Sequence, residues 1–206
     1  MNLPWLGLQV MWAHAAWGMV LAACGVGLLS HRQPFPVALA VGWLVLAFVW
    51  CAVPGPVSPA YWLGLSFQAP SGLLVACCAM TIWVNAQGAT GYRVLPTGLA
   101  AALVVVGAVL YVDSVGWLHL GLYAQGYGRG AAIAALLLGA VAVLAVALGR
   151  RRGMALAVLL SLMLFSVFRL PSGNLWDALL DPWLWLWALC SLVARWRASR
   201  RNLSAE

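Results

Sequence analysis

Two aspartates near the C-terminus are the residues whose type and spacing best suit chemistry. Asp177 and Asp181 stand four residues apart in the stretch 169–187, together with one arginine and four tryptophans. A helix through both would place them on one face, where two carboxylates repel unless an arginine, a cation or a shared proton compensates. The pair therefore predicts either a catalytic or ligand-binding site or a structural arrangement at a helix start.

The neighbouring residues favour the structural interpretation. Pro-Ser-Gly at 171–173 is typical of a turn, Asn174 suits the N-cap of a helix, and Asp177 follows at the position of a capping carboxylate. The helix dipole stabilises a negative charge there. We expect Asp177 to cap this helix and Asp181 to pair with an arginine.

Two more residues are candidates for catalysis. Asp113 and His119 lie in the stretch 113–129, which is rich in glycine and aromatic residues and suits a membrane interface better than a crossing. A carboxylate and an imidazole are common general acids and bases. They join Asp177 and Asp181 as candidate catalytic residues.

Four side chains are candidates for binding a substrate. Arg129 and Arg169 could clamp an anionic group, since guanidinium groups recognise phosphate and carboxylate. Trp176 and Trp183 could hold an acyl or polyprenyl chain, although tryptophans at such a place more often anchor a helix at the headgroup boundary. Both interpretations stay open at this stage.

The histidines and cysteines predict no cofactor or metal site. His14 would need a second histidine at matching depth to hold a haem, and only His119 could serve, so haem is not expected. Three scattered histidines do not suit a zinc or di-iron cluster, and the five cysteines contain no Cys-x-x-Cys pair. The absence of lysine excludes a retinal Schiff base.

The composition predicts an integral membrane protein. Of the 206 residues, 65% are hydrophobic and only 7% are charged. In soluble domains, about a quarter of the residues are charged. The eleven basic residues are arginines scattered between apolar runs, without the continuous basic face that would suit nucleic acid, so no nucleic-acid partner is expected.

Apolar runs divide the chain into about seven spans of an all-α, polytopic membrane bundle. A helix needs roughly 20 apolar residues to cross the hydrocarbon core. We expect one integral membrane domain over 1–206, with short interfacial or re-entrant elements at 58–71 and 113–129. The predicted spans are 5–29, 36–53, 72–86, 97–112, 130–149, 154–168 and 182–195.

Small residues on two spans predict close helix contacts. The first span carries a face of Ala15, Gly18, Ala22 and Gly25, and the fifth carries small residues from 131 to 139 at the same kind of spacing. Such faces let two helix backbones approach closely in a membrane. The spans should therefore pack through them.

The arginines predict the orientation of the chain. Basic residues concentrate on the cytoplasmic side of membrane proteins. Seven spans with a cytoplasmic C-terminus leave only Arg129 and Arg169 outside, and place the N-terminus and all the candidate catalytic residues outside as well. The predicted inner arginines are Arg32, Arg93, Arg150, Arg151, Arg152, Arg195, Arg197, Arg200 and Arg201.

The function that follows is a non-catalytic accessory or scaffold subunit of a membrane complex in the inner membrane of a bacterium. No aspartate or glutamate lies in the middle of a predicted span, which disfavours an ion-coupled transporter. The expected partners are membrane lipid and another membrane protein or a second copy of the chain. The alternative is a membrane enzyme or flippase that acts on a lipid or lipid-linked anionic substrate at the extracytoplasmic leaflet.

Overall fold

The fold is all-α, as the sequence predicts. A computed structural model describes residues 4–30, 36–89 and 93–203, with backbone only for the last two. Arg32, counted above among the inner arginines, lies outside the described residues. Within these ranges the regular elements are α1 Leu6–Leu29, α2 Val37–Ala52, α3 Pro59–Ser66, α4 Gly72–Ala86, α5 Thr97–Ser114, α6 Leu122–Gln125, α7 Arg129–Ala147, α8 Arg152–Phe168, α9 Leu175–Leu179 and α10 Pro182–Leu203.

Three helices, α1, α5 and α7, are long and apolar enough to cross a membrane. The apolar helices α2, α4 and α8 are shorter. Each segment predicted as a span lies on a helix, and α10 continues to Leu203, beyond the predicted end at 195. The stretches 58–71 and 113–129 hold the short helices α3 and α6.

The small-residue face of α1 packs against α2, which confirms the predicted close contact. Ala22 is fully buried. A Cβ added at Gly18 would lie 3.3 Å from the Phe48 Cα, and one added at Gly25 would lie 3.6 Å from the Trp43 ring. Only small residues allow this backbone approach.

The N-terminal half of α4 lies at the centre of the fold and contacts both α1 and α8. Its buried residues Leu73, Leu74 and Cys77 belong to the main hydrophobic cluster, which also contains Trp17 from α1 and Leu184 from α10. At Gly72 an added Cβ would lie 3.1 Å from the Ser161 Cα of α8. The helix is therefore held by close contacts on both sides.

The α5–α10 pair depends on one glycine. The Trp185 ring of α10 lies against Gly107 of α5, where an added Cβ would overlap the indole. Its Nε1–H donates to the Val104 carbonyl at 3.0 Å, and its ring meets Tyr111 edge to face with centroids 5.9 Å apart. A buried indole N–H needs such an acceptor. Gly107 leaves room for the indole to reach it.

Gly107→Ala is expected to destabilise the protein. The added methyl must displace the Trp185 ring or separate α5 from α10, and overpacking of this kind costs about 1–3 kcal/mol. Gly98→Ala on the same helix is the control, because an added Cβ meets nothing within 4 Å there. Thermal unfolding in detergent should show a lower Tm for Gly107→Ala only, and equal Tm values would contradict the packing described.

Candidate functional site

Asp113 in the last turn of α5, Asp177 in α9 and Asp181 just before α10 lie at one end of the helices. Each accepts hydrogen bonds from a different part of the chain, and Tyr123 links the first two. We call this end the aspartate end.

Asp113 closes the loop that follows α5. Its Oδ1 accepts the N–H of Leu120 at 2.7 Å and of Gly121 at 3.0 Å, and its Oδ2 accepts the N–H of Tyr123 at 2.9 Å. Gly121 has a φ of +67°, a left-handed conformation that glycine adopts without strain. The carboxylate thus takes the place of backbone acceptors that the loop itself does not supply.

Asp177 joins α9 to the loop around α6. The Tyr123 hydroxyl donates to both of its oxygens, at 2.9 and 3.0 Å. The Ser172 hydroxyl donates to Oδ2. Burial raises the pKa of Asp177, and the two hydroxyl donors partly oppose the rise. Burial and the adjacent carboxylate also raise the pKa of Tyr123, which keeps its hydroxyl protonated as the donor.

Asn174 also links α9 to the loop around α6, through hydrogen bonds to backbone groups. It is fully buried, and its Oδ1 accepts the N–H of Trp176 at 2.9 Å, so it is the N-cap of α9 as predicted. Its Nδ2 donates to the Tyr123 carbonyl at 3.1 Å. The amide lies against Gly126, where a Cβ would overlap it, and Leu175 donates its N–H to the Gly126 carbonyl at 3.0 Å.

Asp181 connects the first turns of α4 and α10. Its Oδ2 accepts the N–H of Ser71, the N-cap of α4, at 2.6 Å. Its Oδ1 accepts the N–H of Leu184 in the first turn of α10 at 2.8 Å. The residue is 7% exposed. Burial raises the pKa of Asp181, while the Ser71 side chain and the backbone N–H groups of Leu184 and Ser71 oppose the rise.

Two details predicted for this pair are wrong. Leu180 has an extended backbone that separates α9 from α10, so Asp177 and Asp181 do not share a face of one helix. An arginine was expected to pair with Asp181, but the carboxylate accepts hydrogen bonds from two backbone N–H groups instead. Two helix N-termini supply these donors and the positive ends of their dipoles. Asp177 lies in the first turn of α9, yet it bonds hydroxyl groups from outside that helix.

The candidate arginines and His119 are exposed at the surface of the aspartate end. Arg169 is the left-handed C-cap of α8, and its guanidinium lies over the Phe165 ring, 5.1 Å from the centroid. Arg129 begins α7. His119 has a φ of +51° in the loop that Asp113 closes.

The candidate tryptophans are part of the packed structure. The Trp176 Nε1–H donates to the Leu122 carbonyl at 2.9 Å. Trp183 packs edge to face between Phe67 and Trp17, with centroid distances of 5.0 and 6.0 Å. Its Nε1 is buried and makes no hydrogen bond to the described residues. These contacts hold α10 against α1 and the 67–71 connection.

No group of three or more histidine, cysteine or acidic residues that could hold a metal occurs in the described ranges. His14 makes a local contact, with its Nδ1 2.8 Å from the Val10 carbonyl one turn earlier. All five cysteines are free thiols. Four cavities within the described ranges have no acidic side chain in their linings.

Sequence reasoning missed a repeated motif that organises this end. Pro-Ser-Gly occurs at 70–72 and again at 171–173. In each copy the serine contacts an aspartate, and the proline carbonyl accepts a side-chain N–H from α1. The contacts are Ser71 to Asp181, Ser172 to Asp177, Trp12 Nε1 to Pro70 at 3.0 Å and Gln9 Nε2 to Pro171 at 3.3 Å.

Comparison with protein-family models, with characterised proteins and with solved structures finds no match to this chain. The interpretation of the site therefore depends on the contacts described above.

Asp181→Asn is expected to lower stability. One carboxylate oxygen would become an amide that faces a backbone N–H, and a buried unsatisfied donor costs about 1–3 kcal/mol. Ser71→Ala is the comparison, since it removes the hydroxyl cap of α4 but keeps the backbone N–H that Asp181 accepts, a loss of about 1 kcal/mol. In thermal unfolding, Asp181→Asn should show the larger fall in Tm, and an unchanged Tm would contradict a structural role.

Proposed function

We propose that this chain is a seven-span inner-membrane protein that acts as a non-catalytic accessory or scaffold subunit of a membrane complex. The observation that carries the proposal is the use of the three aspartates. Both oxygens of Asp113, Asp177 and Asp181 accept hydrogen bonds that join loops and helix starts. A catalytic carboxylate needs an oxygen within reach of a substrate.

The seven spans would be α1, α2, α4, α5, α7, α8 and α10. Three of these helices satisfy length and hydropathy on their own, and α2, α4 and α8 are apolar but shorter. A helix shorter than the hydrocarbon core is accommodated by local thinning of the bilayer or by association with other helices. The arginine asymmetry favours an orientation with the C-terminus in the cytoplasm and the aspartate end outside.

Two helices offer surfaces for a partner in the membrane. Only Ala40, Ala47 and Cys51 of α2 are buried, and only Ala131 and Ala142 of α7. Small residues in an outward face favour contact with another transmembrane helix. On α2 such a face contains Ala38 and Gly42, both exposed, and a Cβ added at Gly42 meets nothing within 4 Å.

The proposal predicts a stoichiometric partner. Tagged protein purified in mild detergent and analysed by native mass spectrometry should carry a second polypeptide or a second copy of the chain. Gly42→Leu should reduce recovery of that partner severalfold with an unchanged Tm, because it blocks close approach at α2. Gly64→Leu on α3 is the volume-matched control, because Gly64 is also exposed and a Cβ added there meets nothing within 4 Å.

A monomer without a partner would contradict the scaffold proposal. So would an Asp181→Asn protein that keeps its normal Tm and abundance but loses its cellular function. That second result would favour the alternative, an enzyme or flippase for a lipid or lipid-linked anion, in which exposed Arg129 and Arg169 bind the anion and Asp177 or Asp181 acts as base or binds a divalent cation.

The orientation can be tested by thiol labelling. The five native cysteines are changed to alanine, and Trp117→Cys or Ala198→Cys is introduced at an exposed site at each end of the bundle. A membrane-impermeant maleimide should label Trp117→Cys in intact cells and Ala198→Cys only after permeabilisation. The opposite pattern would reverse the proposed topology.

A further inference from the structure

A long apolar groove lies between α5 on one side and α7 and α8 on the other. It consists of two cavities of about 380 and 460 Å³. Both are lined by Leu99, Leu138 and Val158, so they adjoin each other. The groove is open because α5 pairs with α10 whereas α7 pairs with α8.

The two ends of the groove differ in charge. The part toward the aspartate end is lined by aliphatic side chains and Trp176. The opposite end contains Arg150 and Arg151, and acidic side chains line neither part. The groove therefore combines one cationic end with a long apolar wall.

The two arginines are held by a tight turn between α7 and α8. Gly149 has a φ of +69°, and its N–H donates to the Val146 carbonyl at 3.0 Å. The Arg150 N–H donates to the Ala145 carbonyl at 2.8 Å. The backbone that carries both guanidinium groups is thus fixed next to the mouth of the groove, which lowers the entropic cost of binding an anion there.

We propose that this groove binds an anionic phospholipid, with its phosphate at Arg150 and Arg151 and an acyl chain along α5. Cationic pockets between transmembrane helices bind anionic headgroups at the cytoplasmic side. The 18 residues of α5 span about 27 Å, longer than the acyl chain of one leaflet of a core about 30 Å thick. The inference rests on the proposed orientation, which places these arginines at the inner leaflet.

A second transmembrane helix is the competing occupant. It would bring its own apolar side chains to the groove, but it would match the cationic end only if it also carried acidic side chains there. A phospholipid supplies both parts in one molecule, since the headgroup carries the negative charge and the tail is apolar. Charge complementarity therefore favours the lipid.

The test compares the binding of phosphatidylglycerol and phosphatidylcholine, with matched acyl chains, to purified full-length protein by native mass spectrometry. The wild-type protein should prefer phosphatidylglycerol. Arg150→Gln with Arg151→Gln should reduce the preference by about thirtyfold, because each arginine near the headgroups contributes about fivefold. Arg197→Gln with Arg200→Gln removes the same charge from α10 and should leave the preference unchanged.

Ala102→Phe tests the apolar part of the groove. Ala102 lines the groove and is exposed, so a phenyl ring can enter the groove without disturbing the core. It should weaken retention of both lipids. Ala101→Phe, an exposed neighbour on α5 that does not line either cavity, is the control and should have no effect.

Three results would overturn the lipid proposal. The first is equal retention of phosphatidylglycerol and phosphatidylcholine by the wild-type protein. The second is a preference for phosphatidylglycerol that persists after Arg150 and Arg151 are changed to glutamine. The third is the loss of a bound polypeptide, instead of lipid, in Ala102→Phe. A lipid preference in a monomer without a partner would support the groove and contradict the scaffold function, so the two proposals fail separately.

Discussion

The buried carboxylate of Asp181 is the interaction on which the rest of the fold depends. It accepts one N–H from the start of α4 and one from the start of α10, so two helices begin at the same point. The first N–H groups of a helix have no partner inside the helix and must find one nearby. One aspartate thus satisfies donors of two helices, and the dipoles of both stabilise its charge.

The other two aspartates stabilise loops in the same way, by accepting hydrogen bonds from them. Asp113 accepts three backbone N–H groups, and Asp177 accepts two hydroxyl groups, with Tyr123 contributing to both sets. A charge removed from water is costly unless hydrogen bonds compensate it. The donors to Asp113 lie in the loop that follows it, and one donor to Asp177, Tyr123, is 54 residues away in the chain, so the same bonds that stabilise the charges also fix the connections.

Hydropathy and residue size predicted the helices well because both are local properties. Apolar runs and breaks located the helices, and small residues on α1 located its contact with α2. The sequence also predicted the N-cap at Asn174, since the N-cap preference depends on neighbouring residues.

The tertiary partners of the aspartates could not be predicted from the sequence. Four-residue spacing suggested one helical face, and an extended Leu180 between α9 and α10 removes that relation. Ser71 and Tyr123 are far from their aspartates in the chain, so local patterns do not connect them. The repeated Pro-Ser-Gly was the one available signal, since both copies supply the serine that an aspartate contacts.

The contacts of α1 with the two Pro-Ser-Gly turns have a consequence for biogenesis. Gln9 donates to the Pro171 carbonyl, 162 residues later in the chain. The Ser71 N–H donates to Asp181, 110 residues later. The first helices are therefore synthesised long before their partners. Until the last helix has been synthesised, Gln9 and Ser71 lack the acceptors that they have in the folded protein. The full set of contacts that define the aspartate end can therefore form only after Asp181, at the start of α10, has been synthesised.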